Sequence, residues 1–189
     1  MTTTTLPLAP GLWTLDRPHC SVEFAVRHMA ISKVRGRFKS FAADIFVGPS
    51  LDESNLRATI DLGSVDTNNP DRDSHLKNSD FFNVERHPEM TFQSTTISEV
   101  GDGEYAITGD LMINGVTRTE TLSATFHGTE TFPGDSSLHA GFEAKASIKR
   151  MDYGIDFNVP LGAGGFVISD EIEIELDIQL LAPKNGATT

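Results

Sequence analysis

Apolar and polar side chains alternate along most of this chain with period two, the periodicity of a strand with one dry and one wet face. Between Glu171 and Leu180, Ile172, Ile174, Leu176, Ile178 and Leu180 fall on one face. Glu171, Glu173, Glu175, Asp177 and Gln179 fall on the other. From His139 to Lys149, Ala140, Phe142, Ala144, Ala146 and Ile148 oppose His139, Glu143, Lys145, Ser147 and Lys149. The same reading predicts strands over 11–16, 21–28, 33–38, 41–47, 56–61, 89–100, 104–113 and 117–127.

The punctuation agrees. Gly101-Asp102-Gly103 and Asn114-Gly115 separate alternating runs, which is the short-range signature of a hairpin, and Pro133-Gly134-Asp135 marks a longer connection. Strands with one wet face belong to an antiparallel sheet rather than to a buried parallel one. Some eight of them in meander order close most simply into a barrel without exposed edges; a two-sheet sandwich is the competing arrangement. One segment departs from period two. Pro70 follows Asn69 as a first helical residue follows its N-cap, and Asp71 and Asp73 suit the positive end of a helix dipole, so a single short helix is predicted over 70–79. Phe81-Phe82 and a loop to Pro88 follow it. The expected class is therefore all-β: an eight-stranded antiparallel barrel with one short helix, forming one domain over residues 11–182. The tails 1–10 and 183–189 are expected to fray.

Charge and composition narrow the function. With 15 basic and 27 acidic residues the 189-residue chain carries a formal −12, which argues against nucleic acid, whose recognition needs a basic surface. A single cysteine, Cys20, excludes an intrachain disulfide and a cysteine-based metal site. The first ten residues have neither a basic region nor an unbroken apolar run, so no secretory signal is read there and a cytoplasmic location is expected. No stretch approaches the ~20 apolar residues of a membrane span, so stable insertion is not expected. There is no Gly-x-Ser-x-Gly elbow, His-Glu-x-x-His pair, phosphate loop or dinucleotide fingerprint, and no catalytic residue is assigned. His75 and His87, with Asp71 or Asp73, match no known closed zinc site, and no metal is expected.

Several segments together resemble the YceI-like family, lipocalin-like proteins that bind polyisoprenoids. They are Trp13-Thr14-Leu15-Asp16, His19-Cys20-Ser21-Val22-Glu23-Phe24, Val34-Arg35-Gly36-Arg37-Phe38 and Ser64-Val65-Asp66-Thr67. Arg72-Asp73-Ser74-His75-Leu76, Asp80-Phe81-Phe82-Asn83, Pro88-Glu89-Met90-Thr91-Phe92 and Arg150-Met151-Asp152-Tyr153-Gly154 continue the likeness, which spans roughly residues 11 to 181. Cys20, where the family commonly has Ser or Thr, and Asn68, where Gly is common, depart from the pattern. The resemblance implies an extended lipocalin-like barrel around an isoprenoid chain, as in a prenyl quinone or polyprenyl phosphate, with no other cofactor. It also implies a homodimer.

On this reading Phe24, Val26, Phe38, Phe92, Phe126, Phe142, Ala144 and Ile148 line the tunnel. Each Phe can equally fill an ordinary core; the interleaving of Gly36, Ala140, Ala144 and Ala146 argues for an open channel. His28, Arg72, His75, Phe81 and Phe82 are the candidates for the head group or the mouth. His28 reads first as a hydrogen-bonded core histidine at a strand end, and otherwise as a donor to a quinone carbonyl or phosphate. Arg72 has the planar fork that suits phosphate, Asp73 suits the helix N-terminus, and Phe81-Phe82 either lid the barrel or dock the helix. Lys33, Arg35, Arg37 and Lys39 share one strand face. They are expected to lie beside the strand of Glu171, Glu173, Glu175 and Asp177, where opposite charges pair across strands; docking to an anionic membrane or a pyrophosphate is the alternative. Two rival functions remain open: an enzyme acting on an isoprenoid through His28 or His75, and an interaction or stress-response module whose barrel is filled by its own side chains.

Overall fold

The computed structural model of the protein describes residues 6–162 and 164–183. The alternating runs form β1 (Gly11–Leu15), β2 (Ser21–His28), β3 (Ser32–Phe38), β4 (Phe41–Val47), β5 (Asn55–Asp61) and β6 (Val65–Asp66). After α1 (Pro70–Lys77) come β7 (Glu89–Gly101), β8 (Glu104–Ile113), β9 (Val116–Thr131), β10 (Leu138–Lys149) and β11 (Ile168–Leu181). Three pairs run end to end as interrupted strands. A 3-10 turn at Arg17–His19 separates β1 from β2, Lys39 and Ser40 separate β3 from β4, and a 3-10 turn at Leu62–Ser64 separates β5 from β6. Counted so, eight antiparallel staves follow one another in chain order, and the last returns to the first.

Closure is made by β11. One of its edges pairs with β10 from Lys149↔Glu171 to His139↔Leu181. The other pairs with β2, from Asp177↔Ser21 to Ile168↔His28, and then with β1 at Thr14↔Leu181. The ring is thus a closed barrel and not the alternative sandwich. It is splayed at one end. The β9–β10 ladder stops at Lys145↔Ser123 although β10 continues to Lys149, and β6 pairs with β3 but not with β7. The segment carrying α1 enters the β6–β7 gap, and a 3-10 turn at Arg150–Tyr153 packs against β9 at the other.

The helix is capped as its sequence predicts: the Asn69 side chain accepts the Arg72 N–H at 3.0 Å. It ends two residues sooner than expected, because Asn78 is extended (ψ 172°) and its N–H turns back to the His75 carbonyl. Asp73 does not serve the helix N-terminus; its carboxylate accepts the Thr67 N–H and hydroxyl instead. Strand β9 runs to Thr131, past the expected end, through Gly128 at φ 113°, where the ladder shifts register. Of the tail expected to fray, residues 1–5 lie outside the described residues. Leu8 is buried with Trp13, Val47, Ala140 and Leu180, and the Trp13 indole donates to the Ala9 carbonyl at 2.9 Å. Leu6 and Leu8, two residues apart, give the end of that tail an apolar face to bury. Of the tail 183–189, Pro183 lies against Gly11 and the rest is outside the described residues.

The basic stripe lands differently from expectation. Strand β2 lies between β3 and β11, so β3 does not adjoin the acidic face of β11. Lys33 still reaches Glu173 over the small Ala25, and this bond lowers the Glu173 pKa. At the other end Lys39 and Arg37 converge on Asp66, at 2.9 and 3.2 Å. With the Asn68 N–H also bonded, these cations hold the Asp66 carboxyl down at about 2. A carboxylate depressed in the fold adds stability above its unfolded value of 3.8, and that stability fades as pH falls through about 2. The prediction is that Asp66→Asn flattens the fall in melting temperature over this interval. A wild-type slope in the variant would show that the Asp66 anchor adds nothing.

Candidate functional site

The inward faces of the staves do not fill the barrel. Among the described residues, cavities of about 200 Å³ and about 430 Å³ are walled almost entirely by apolar atoms. Val22, Met90, Ile148 and Ile174 line both, so the two chambers of the tunnel adjoin at an aliphatic waist. The narrow chamber lies between the inner faces of β4, β5, β7 and β8 and those of β9, β10 and β11; Leu6 and Leu8 also line it. The wide chamber occupies the splayed end, between β2, β3 and β11, α1 and the 150–168 segment.

The candidate tunnel residues divide between them. Phe24, Val26 and Phe38 line the wide chamber, Phe92, Phe142 and Ala144 the narrow one, and Ile148 the waist. Phe126 lines neither; it stacks on Phe142, ring centres 5.1 Å apart, and packs into the neighbouring core. The small residues do not all hold space open. Ala144 and Ala146 line the narrow chamber, but Ala140 is packed beside Trp13 and Gly36 is covered by the Phe24 ring. A Cβ at Gly36 would come 2.4 Å from Phe24 Cζ.

All five head-group candidates line the wide chamber. Arg72 is already engaged: its Nε donates to the Thr67 hydroxyl and its Nη2 to the Thr67 carbonyl, both at 2.8 Å. That hydroxyl passes its own proton to Asp73 at 2.6 Å, so the guanidinium is braced rather than held out as a free fork. His75 Nε2 bonds Asp80 at 2.9 Å, and its ring stands edge-on to Phe81 and Phe157, 5.0 Å from each. Phe81 is buried in the main core and Phe82 stacks on Phe38, so the pair both docks the helix and walls the chamber. His28 differs from its first reading: among the described residues its ring has no hydrogen-bond partner, because it stands at the chamber wall beside the strand end.

Of the wall residues that went unassigned in the sequence, four bear on the chemistry of the site: Arg150, Tyr153, Glu120 and Phe157. Arg150 is 4% exposed, and three of its bonds go to main-chain carbonyls: Nε to Ser169 at 2.9 Å, Nη1 to Ile155 at 2.8 Å and to Phe157 at 2.9 Å. It ties the loop across the wide chamber; its Nη2 finds no acceptor among the described residues, and burial lowers its pKa. Tyr153 is fully buried there and donates to Glu120 at 2.8 Å, a carboxylate on the inner face of β9. Burial and that carboxylate push the tyrosine pKa well up, so it stays a neutral donor. Phe157 completes the aromatic wall. Alternation could have marked Glu120 as an acid in an inward position; nothing in a loop sequence marks a buried arginine.

Cys20 Sγ is held against the Asp16 and Gln179 carbonyls, and burial raises its pKa. Among the described residues no three His, Cys, Asp or Glu side chains gather as metal ligands, and no helix is long and apolar enough to cross a membrane.

The YceI-like domain model matches residues 13–180 of this chain. A UPF0312 protein of Staphylococcus aureus strain N315 is 36% identical over 166 residues, covering 86% of this chain and 93% of the relative. Among solved structures, a Campylobacter jejuni YCEI protein superposes with a TM-score of 0.69 at 31% identity, covering 90% of this chain and 98% of that one. Burkholderia cenocepacia BcnA gives 0.74 at 24% identity, covering 87% and 98%. A polyisoprenoid binding domain from Saccharophagus degradans gives 0.65 at 16% identity, covering 90% and 98%.

If the tunnel is as narrow near Phe24 as the packing over Gly36 implies, Gly36→Val will drive that ring into the wide chamber. The prediction is a roughly tenfold loss of uptake of an apolar fluorescent probe, at a stability cost of about 1–3 kcal/mol. Unaltered uptake by a folded variant would mean that the ring has somewhere else to go.

Proposed function

Since the chain belongs to the YceI-like family, we propose that it binds a long-chain isoprenoid lipid, an isoprenoid quinone or polyprenyl phosphate, and carries it in the barrel tunnel. The observation that supports this most is the pair of chambers that adjoin at an aliphatic waist inside the barrel, both nearly free of polar atoms. Removing an apolar tail from water contributes about 0.8 kcal/mol per buried CH₂, so a tail spanning both chambers holds without many polar contacts. The head lies in the wide chamber, where His28, Arg72, His75 and Arg150 are found; the tail crosses the waist into the narrow chamber. The role is passive. Arg72, His75 and Tyr153 are committed to protein partners, which suits orienting a head group better than moving protons through a reaction. The polyisoprenoid binding domain with the same fold points the same way.

The test is organic extraction of gently purified protein with mass spectrometry of the extract, beside native mass spectrometry of the intact chain. A stoichiometric isoprenoid is expected. Ala144→Trp, which places a large side chain in the narrow chamber, should shorten the longest tail that the protein retains. A clean extract, with no uptake of added ubiquinone or polyprenyl phosphate, would move the weight to a barrel without a lipid role.

A further inference from the structure

We infer that the splayed end of the barrel is a membrane-docking face, through which the wide chamber exchanges its contents with an anionic bilayer. The inference rests on the lipid-carrier reading for its purpose, but not for its evidence.

Large apolar side chains are exposed here on two adjoining turns. Ile31 is 80% and Met29 40% exposed at the tip of the β2–β3 hairpin, and Phe166 62% and Val159 49% exposed on the loop before β11. The turns are joined: Met29 N–H donates to the Val167 carbonyl at 2.7 Å, and Val167 N–H to the Val159 carbonyl at 3.0 Å. His28 and Val167, next to this rim, line the wide chamber, so the rim lies at its mouth. Grouped exposed apolar side chains on a water-soluble surface mark a contact with something else.

The turn itself supports retention of these side chains. Met29 and Ala30 have φ of 52° and 61°, the backbone of a type I′ turn, which favours Asn-Gly. The chain uses that pair at Asn114-Gly115, with φ of 54° and 75°. At the rim it has a methionine in the left-handed region, where Asn, Asp or Gly would sit more easily.

Charge selects the partner. Between Ser21 and Lys39 the cations are Arg27, Lys33, Arg35, Arg37 and Lys39, and the one acid is Glu23, in a chain of net −12. Arg27 and Arg35 are exposed on the hairpin below the tip, and neither has a carboxylate within ion-pair distance among the described residues. Lys33 bonds Glu173, on which Arg27 and Arg35 also act from beyond ion-pair distance, and Asp156 and Asp170 act on Arg150. An apolar edge flanked by unpaired cations fits the interface of an anionic bilayer: the side chains enter the headgroup layer and the guanidinium groups meet lipid phosphates.

Flotation of the full chain with vesicles of phosphatidylcholine, alone or mixed with phosphatidylglycerol, tests this. Wild type should float with the mixed vesicles and much less with phosphatidylcholine alone. The double variant Ile31→Ser with Phe166→Ser should weaken flotation roughly tenfold or more, and the single variant Arg35→Gln, which leaves the chamber lining untouched, about fivefold. Both alter exposed side chains, and an unchanged melting curve will confirm that they fold. Ubiquinone should load more slowly into either variant from mixed vesicles, yet at the wild-type rate from detergent micelles. Wild type that floats with neither vesicle, or equally with both, overturns the inference, as do variants that float like wild type. Failure to load from both vesicles and micelles would instead count against the carrier reading, since flotation needs no bound lipid.

Discussion

Everything in this molecule depends on one strand serving two edges. β11 is laddered to β10 along eleven residue pairs, and its other edge is shared between β2 and β1. Without that shared edge the eight staves are an open sheet with two unpaired margins, which invites pairing with other chains. The same ladder carries charge complementarity on its outer face, with Lys145 opposite Glu175 and Lys149 opposite Glu171. Such pairs contribute only ~0.2–1 kcal/mol each, but they fix register, and a slip of one residue would turn the Ile172-Ile174-Leu176 face outward.

Closure creates the opposite difficulty, a ring wider than its own side chains can fill. Voids in protein interiors cost about 24 cal/mol per Å³ in large-to-small substitution series. That rate applies to sealed voids; the wide chamber, about 430 Å³, opens at its mouth and admits water. The ladders around it and the loops tied over it hold its walls apart, and an apolar occupant would gain by displacing that water. The buried Arg150 is part of that tying. It spends its bonds on the carbonyls of Ser169, Ile155 and Phe157, which would otherwise lie over an apolar space without partners.

Much of this fold was legible in the sequence because a barrel wall obeys a local rule. Ile172 and Glu173 face opposite ways whatever lies beyond them, and Asn69 caps a helix from the three residues that follow it. The candidate site was legible where it is made of wall: Phe24, Val26, Phe38, Phe92, Phe142 and Ala144 all face the tunnel. Non-local facts were not. The basic stripe on β3 could be seen, but its partners could not, because they depend on which stave lies between; β2 does, and the acid that anchors Arg37 and Lys39 is Asp66. Phe126 shares the alternation of the lining residues yet stacks behind one of them. Leu6 and Leu8 look like a tail until Trp13 is seen to need covering. Arg150 and Tyr153 are buried in a loop, where no periodicity announces burial.

The two ends of the barrel are chemically unlike, and that asymmetry gives the tunnel a direction. Leu6, Leu8 and the Trp13 cluster pack at the narrow chamber, whose lining is apolar apart from Ser54, Asn55, Tyr105 and Glu120. The wide chamber gathers His28, Arg72, His75 and Arg150 along with its aromatic wall, and an apolar rim stands at its mouth. An amphipathic chain entering such a tunnel meets its lowest free energy tail first, because a polar end driven through the waist of Val22, Met90, Ile148 and Ile174 would lose its hydration without a partner. On the proposed carrier reading the head stops where donors exist, at the end that also carries the exposed apolar residues. Such a carrier would need no moving part to tell head from tail, because the distribution of polar atoms along the barrel axis would do so.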